Sequence, residues 1–435
     1  MKKKIFIFLT ALVVLLAGCG NVGNAEREKL EEEKDVIEVW ASFGIHIPGN
    51  HYIELWEELS EQYDCEIDIK TYSVEQMKSK LRTALVCNEL PDVFFVWGGT
   101  YPEFLFEAGA CMPVQEVLEA SDVTFKESYT IPYKDGNNYI IPCMPEDYGV
   151  VYYNQKLMDL MGLTVPTTWE ELIQLVKDVN AYNAVHNTKY TPINLGNKNG
   201  ENGELLYCTI VERLEPDAYE ELKTGKRTFE DEVFVEAAQR VSELEELNAF
   251  SYDFMEVGEK EAIDNFTNQE AVIFPSRSSA MYYLMENMEE DSFHMMPFPV
   301  CNNMYKETSG TYMIDINHTL TSGFCVNASS PYQEQAAQIC LDFAKKVNDC
   351  NVSEYGYTNM TETELPYPAE LPGIVREFQQ MQERMEECSP CWYAELPLEN
   401  ADAWRNLTKK LYAGEINIEE FTTKGTECLV FDSEY

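Results

Sequence analysis

The sequence predicts a doubly wound α/β fold organised in more than one unit, and three observations lead there. Strand and helix patterns alternate from Asp35 onward. The run Val93-Phe94-Phe95-Val96-Trp97 is continuously apolar, as a parallel strand covered on both faces requires. A chain of 435 residues is also longer than one domain of roughly 150 residues. With 45% hydrophobic and 12% aromatic residues it can build sizeable cores, which excludes wholesale disorder and the collagen and coiled-coil classes.

The N-terminus reads as an export signal. Lys2, Lys3 and Lys4 precede an uncharged apolar stretch, Ile5 to Leu16, too short for a stable spanning helix, and the small residues Ala17 and Gly18 follow it. Leu16-Ala17-Gly18-Cys19 resembles a bacterial lipobox, which implies a signal peptide over residues 1–18 and a lipid anchor on Cys19. Residues 19–35, polar and charged, read as a tether.

The folded part is expected to begin near Val36. Val36, Ile37, Val39 and Trp40 make a short strand that ends at Ser42-Phe43-Gly44. In the segment His51 to Tyr63, residues Ile53, Trp56, Leu59 and Tyr63 fall on one helical stripe, which makes Trp56 a core residue. Cys65, Ile67 and Ile69 alternate with polar residues as a half-buried strand. Ser73 and Gln76 form a capping box ahead of Met77, Leu81 and Leu85. Tyr139 to Tyr153 is extended and punctuated by proline. Pro166-Thr167-Thr168-Trp169-Glu170 sets proline before a threonine cap, with glutamate three residues on. Asn194 to Glu204 reads as a polar, glycine-rich loop. Further helices are expected at Asp231 to Leu247, Tyr332 to Asn348 and Gly373 to Glu387.

In open α/β sheets ligands sit at the carboxyl ends of the strands, so the loops Ser42 to His46 and Trp97 to Tyr101 are the first candidates for a site. Trp97 ends its strand beside Gly98-Gly99, whose missing side chains let a ligand approach the indole. Glu146, Asp147 and Tyr148 lie midway along the extended stretch, where a crossover would face a cleft. The net charge of −44 disfavours nucleic acid, anionic lipid and, unless a local basic pocket overrides it, a strongly anionic ligand. Beyond Cys19, twelve cysteines sit mostly in apolar runs, where free thiols pack as small hydrophobes. Cys388 and Cys391 form a lone CxxC without the further ligands that zinc needs, so a disulfide or loose thiols are expected. No G-x-S-x-G, H-E-x-x-H, Walker A or G-x-G-x-x-G motif occurs, and the five histidines show no metal-ligand pairing; His46 borders the expected cleft. No catalytic residue, metal or cofactor is expected. A glycosidase stays open as a rival, because two suitably placed carboxylates suffice.

Several stretches together resemble the extracellular solute-binding proteins of family 1, the maltose-binding-protein-like sugar-binding lipoproteins of ABC importers. They are the lipobox, VIEVWASF, LPDVFFVWGGTYPEFLFEAGACMPV, DGNNYIIP followed by VVYYNQKLMDLMGLTVPTTWEELIQLVK, then FTNQEAVIFPS, FHMMPFPV and SGFCVNASSPYQEQAAQICLDFAKK. The resemblance implies a class II periplasmic-binding-protein-like fold of two discontinuous α/β lobes joined by crossing hinge segments. Lobe one would take 36–145 and 317–349, lobe two 146–316 and 350–435. It also implies a monomer that captures a mono- or oligosaccharide between the lobes, and ABC permease subunits as partners. A peptide or another small solute on the same scaffold is the alternative. Carried over by position, the ligand contacts would be Ser42, Phe43, Trp97, either Glu146 or Asp147, and an aromatic near the C-terminus, for which Trp392 is preferred over Trp404. The loop residues Tyr101 and Tyr148 join this set. Many relatives have a tryptophan where this chain reads Ser276-Arg277-Ser278, so Arg277 is expected to hydrogen-bond hydroxyls, grip a carboxylate or pair with surface acid.

Overall fold

The computed structural model describes residues 34–42, 51–301, 311–315 and 322–431, and its body begins at Val36. The expected signal peptide and most of the tether, with Cys19, lie outside the described residues, as do Phe43 and His46.

The strands are β1 (Val36–Ala41), β2 (Glu66–Thr71), β3 (Val93–Val96), β4 (Ile141–Pro142), β5 (Gly149–Asn154), β6 (Thr191–Ile193), β7 (Ala271–Arg277), β8 (Phe293–Met296), β9 (Thr311–Asp315), β10 (Gly323–Val326) and β11 (Met385–Pro390). They form two principal sheets, ordered β2-β1-β3-β10-β4 and β6-β7-β5-β8, and a two-stranded pair of β11 with β9. In the first sheet β1 runs parallel to β2 and β3, and β10 joins antiparallel beside β3. All four residues of β3 are buried, as its unbroken apolar run requires.

The late strand β10 brings the chain back to the sheet it left after β4. The return is held by aromatic packing. Trp56, on the helix His51–Gln62, stacks on Phe343 of the helix Gln333–Cys350 with centroids 4.1 Å apart, and meets Phe324 of β10 edge-on at 5.4 Å. A later stretch also touches this lobe: Lys126 N donates to the Met360 carbonyl, and Glu362 N to that of Thr124.

The second sheet is covered on both faces because side chains alternate along β5. Val151 joins a large core with the helices Trp169–His186, Glu201–Leu214 and Leu398–Tyr412, while Val150 and Tyr152 point into a separate core with Phe266, Phe274 and Phe378.

Two expectations need correction. The stretch read as a loop to Glu204 becomes helix at Glu201, and this helix runs through the core to Leu214. Gly200, at φ 82°, ends the loop, and Gly203 lets the helix approach Asn197, whose side chain would lie 2.6 Å from an added Cβ. Both glycines mimic loop chemistry in the sequence while serving close packing. The helix expected from Gly373 to Glu387 stops at Glu383, and Met385–Pro390 pairs as a strand with β9. A non-local partner outcompetes local helical periodicity there. The capping box before the long helix forms between Thr168 and Glu171.

Trp392, expected at the cleft, belongs to the second core. It is 0% exposed and stacks on Tyr219 at 5.0 Å and on Trp404 at 5.7 Å. Its apolar area is worth more there than beside a wet ligand. The eleven described cysteines, Cys391 among them, are free thiols and eight are buried. Replacing Trp392 with alanine should cost about 3 to 5 kcal/mol of stability, measured as a lowered denaturation midpoint with an unchanged urea m-value.

Candidate functional site

The two lobes meet over a cavity of about 110 Å3. Its walls come from widely separated parts of the chain. Trp97 and Gly98 follow β3; Lys78 and Arg82 lie one turn apart on the helix Val74–Cys87; Arg277 ends β7; Glu201 and Glu259 start two helices of the second lobe. Tyr393 follows Trp392, and Asp402 and Arg405 lie on the helix Leu398–Tyr412.

On the first-lobe side the aromatic wall is built by packing. The half-buried Trp97 indole stands edge-on to Phe95 at 5.3 Å and to Tyr101 at 5.8 Å, which fixes its plane. Lys78 Nζ lies 5.3 Å from the Trp97 centroid. Tyr101, 8% exposed, donates its hydroxyl to the Lys78 carbonyl at 3.3 Å. The loop then touches the opposite lobe: Thr100 N donates to the Ala394 carbonyl at 2.9 Å, and Thr100 Oγ1 to that of Leu396. Only glycine fits beside this clasp. Gly99 has φ 87°, and an added Cβ would lie 2.5 Å from the Ala394 carbonyl oxygen.

The floor is ionic and centres on Glu201. Lys78 Nζ lies 3.3 Å from its carboxylate, and the guanidinium groups of Arg277 and Arg405 each lie 3.8 Å away. Arg277 also faces Glu259 at 3.6 Å, and Asp402 lies 3.3 Å from Arg405 and 3.6 Å from Arg82. Burial alone would raise the Glu201 pKa, but the charges of Lys78, Arg405 and Arg277 outweigh it and pull it down to about 2. One turn along the helix, Glu204 behaves in the opposite way. It is 0% exposed, and burial pushes it up to about 8 despite Arg405 at 3.9 Å. Its Oε1 accepts from Tyr393 N at 3.2 Å, while Tyr393 presents its ring to Arg405, 5.2 Å from centroid to guanidinium.

Of the residues singled out from sequence, Trp97, Tyr101, Asp147 and Arg277 line this cavity together. The Asp147 carboxylate is already engaged, accepting from Ser278 Oγ at 2.8 Å and from Ser279 N and Oγ at 2.9 Å. It ties the outgoing crossover to the end of β7, and Ser278 N donates to the Tyr148 carbonyl at 2.7 Å in the same knot. Glu146 faces a smaller neighbouring pocket and accepts from the Tyr148 hydroxyl at 2.8 Å; Tyr148 itself is buried against Phe378. Ser42 is buried and outside the cavity lining. Sequence reasoning missed Lys78, Arg82, Glu201, Glu259, Asp402 and Arg405, and set Trp392 ahead of its neighbour Tyr393. On their helices these charges look like solvated faces, and no local spacing marks them. Among the described residues no group of three or more His, Cys, Asp or Glu could hold a metal.

The model of the bacterial extracellular solute-binding proteins matches residues 54–349. The chain belongs to that family. Solved structures of similar fold cover nearly all of this solute-binding protein. One, from a study of xylan utilisation by Caldanaerobius polysaccharolyticus, is 22% identical, with a TM-score of 0.77 over 90% of this chain and 99% of its own. An ABC substrate-binding protein of Listeria monocytogenes in complex with cycloalternan is 16% identical, with a TM-score of 0.70 over 91% and 98%. An ABC transporter solute-binding protein of Thermotoga lettingae bound with α-D-tagatose is 15% identical, with a TM-score of 0.69 over 91% and 98%. No curated protein sequence matches this solute-binding protein. The shared architecture is a two-lobed α/β fold. No helix among the described residues is long and apolar enough to cross a membrane.

The opposite shifts of the two glutamates contribute to the pH profile with opposite signs. Between the ordinary 4.5 and about 8, folded Glu204 keeps a proton that the unfolded chain has released, so stability should fall as pH rises through that window. Glu201 acts below it: its depressed pKa gives stability above 4.5 that is lost as pH falls toward 2. Thermal melts should show Glu204→Gln flattening the decline from about pH 5 to about pH 8 while leaving the acid limb in place.

Proposed function

We propose that this solute-binding protein captures a carbohydrate between its lobes and hands it to the permease of an ABC importer. The observation that carries the reading is the interlobe cavity itself, where the Trp97 ring stands opposite a floor of paired charges. A pyranose has apolar C–H faces and a fringe of hydroxyls, so a ring can cover a face while carboxylates accept and guanidinium groups donate at the rim. Enclosing such a guest is favourable only if its hydroxyls find partners, and this floor offers both kinds. The ligands named for the neighbours, cycloalternan and α-D-tagatose, support the same class.

Closure is the event a permease would read, as a shift between open and closed populations. The clasp at Thr100 and the pairs Lys78–Glu201 and Arg82–Asp402 would hold the closed form. Lobe one would comprise 36–145 and 317–349, and lobe two 146–316 and 350–435. We assign a monomer anchored through Cys19 to the outer face of the cell membrane. Hydrolysis is a poorer reading. The carboxyl held protonated is Glu204, which is sealed in the core and absent from the cavity lining.

Calorimetry against panels of saccharides and peptides tests the reading, and silence with every saccharide would end it. Trp97→Ala should weaken sugar binding by about 1 to 3 kcal/mol, judged from the lost aromatic cover, with little change in melting temperature. Cys19→Ser should release the protein from the membrane into the medium, read by fractionation.

A further inference from the structure

The guanidinium donors of the cleft are largely unused. Arg277 carries five N–H groups and is 16% exposed, yet its carboxylate neighbours Glu259 and Glu201 stand at 3.6 and 3.8 Å, beyond hydrogen-bonding distance. Among the described residues Arg405, 15% exposed, makes one side-chain hydrogen bond, to Asp402 at 3.3 Å; its buried Nε makes none and faces Glu204 at 3.9 Å. Buried N–H groups left without acceptors are costly, and charged ones more so. Two arginines that flank the Glu201 carboxylate, with so few of their N–H groups hydrogen-bonded, are set for an oxygen-rich guest.

The charge count of the wall admits an anionic guest. Over the whole chain 32 basic residues face 76 acidic ones. In the cavity wall Lys78, Arg82, Arg277 and Arg405 face Asp147, Glu201, Glu259 and Asp402, one for one. Asp147 keeps its charge while accepting from Ser278 and Ser279, so the wall stays balanced, and Glu204, beneath Arg405, adds no charge of its own near neutral pH. In so acidic a molecule, a wall whose charges balance is a local relief from the negative excess. A planar guanidinium such as that of Arg277 recognises carboxylate in a two-bond fork.

We propose that the guest is an acidic saccharide, a sugar unit bearing a carboxylate of the uronate type, whose carboxylate docks on Arg277 and Arg405 while its ring lies against Trp97. The inference rests on the carbohydrate reading and deepens it. The carboxylate fills donors that a hydroxyl fringe would satisfy only in part, and it competes with Glu201 for the same cations.

Calorimetry on the full-length chain with glucuronate, its uncharged isostere glucuronamide, and glucose, repeated for galacturonate and galactose, tests it. A uronate should bind about tenfold or more tighter than its neutral counterparts. That preference should shrink as salt rises from about 0.1 to about 1 M, and Arg277→Gln should weaken uronate binding by a larger factor than neutral-sugar binding. Equal or tighter binding of a neutral sugar by the unaltered protein would overturn the acidic assignment and leave the carbohydrate reading standing. Silence with charged and neutral saccharides alike would bring down both. Because the decisive comparison uses the unaltered protein, a misfolded Arg277→Gln would not protect the proposal.

Discussion

The site depends on how the charge of Glu201 is neutralised. A carboxylate taken out of water is expensive unless cations and donors surround it, and Glu201 draws Lys78 from the first lobe and Arg277 and Arg405 from two other stretches of the second. The first of these contacts crosses the cleft, so the same pairing that makes the charge tolerable joins the two halves. Its position at the start of the helix Glu201–Leu214 adds the favourable end of the helix dipole. Glu204, three residues later and farther from most of these cations, cannot be paid the same attention and is pushed toward its neutral form.

Around this ionic centre the cores act as mounts. Phe95 and Tyr101 hold the Trp97 plane, and the stacked group of Tyr219, Trp392 and Trp404 anchors the segment that carries Tyr393 and the helix that carries Arg405. The rings that look most like ligand platforms in the sequence are partly scaffolding, and one position away from Trp392 the chain turns a ring to the cavity. The Asp147 knot fixes the crossovers where two strands leave for the second lobe. Its carboxylate was a sound choice of cavity residue, yet its bonding makes it first a joint between chain segments.

Much of the first lobe was legible because its signals are local. The stripe of Trp56 and Leu59, the Ser73–Gln76 box and the apolar β3 are short-range and form, although Ile53, read on the same stripe, is exposed because the buried face of that helix takes Tyr52 and Leu55 instead. The helix from Glu201 was hidden because Gly200 and Gly203 answer to a turn and to contact with Asn197, neither of which a local pattern records. The end of the helix Gly373–Glu383 was missed for a related reason, since Met385–Pro390 finds its strand partner some seventy residues earlier.

The sequence by itself determined the α/β alternation, the buried tryptophan of the first lobe, the aromatic at the end of β3 and the candidacy of Arg277, because periodicity, strand ends and glycine pairs act over short spans of chain. Tertiary structure decided which charges share one cavity and which tryptophan is covered. Lys78, Glu201, Arg277 and Arg405 come from positions up to 327 residues apart, and their partnership exists only once two sheets are folded and faced together, since Coulomb attraction depends on distance in space and not along the chain.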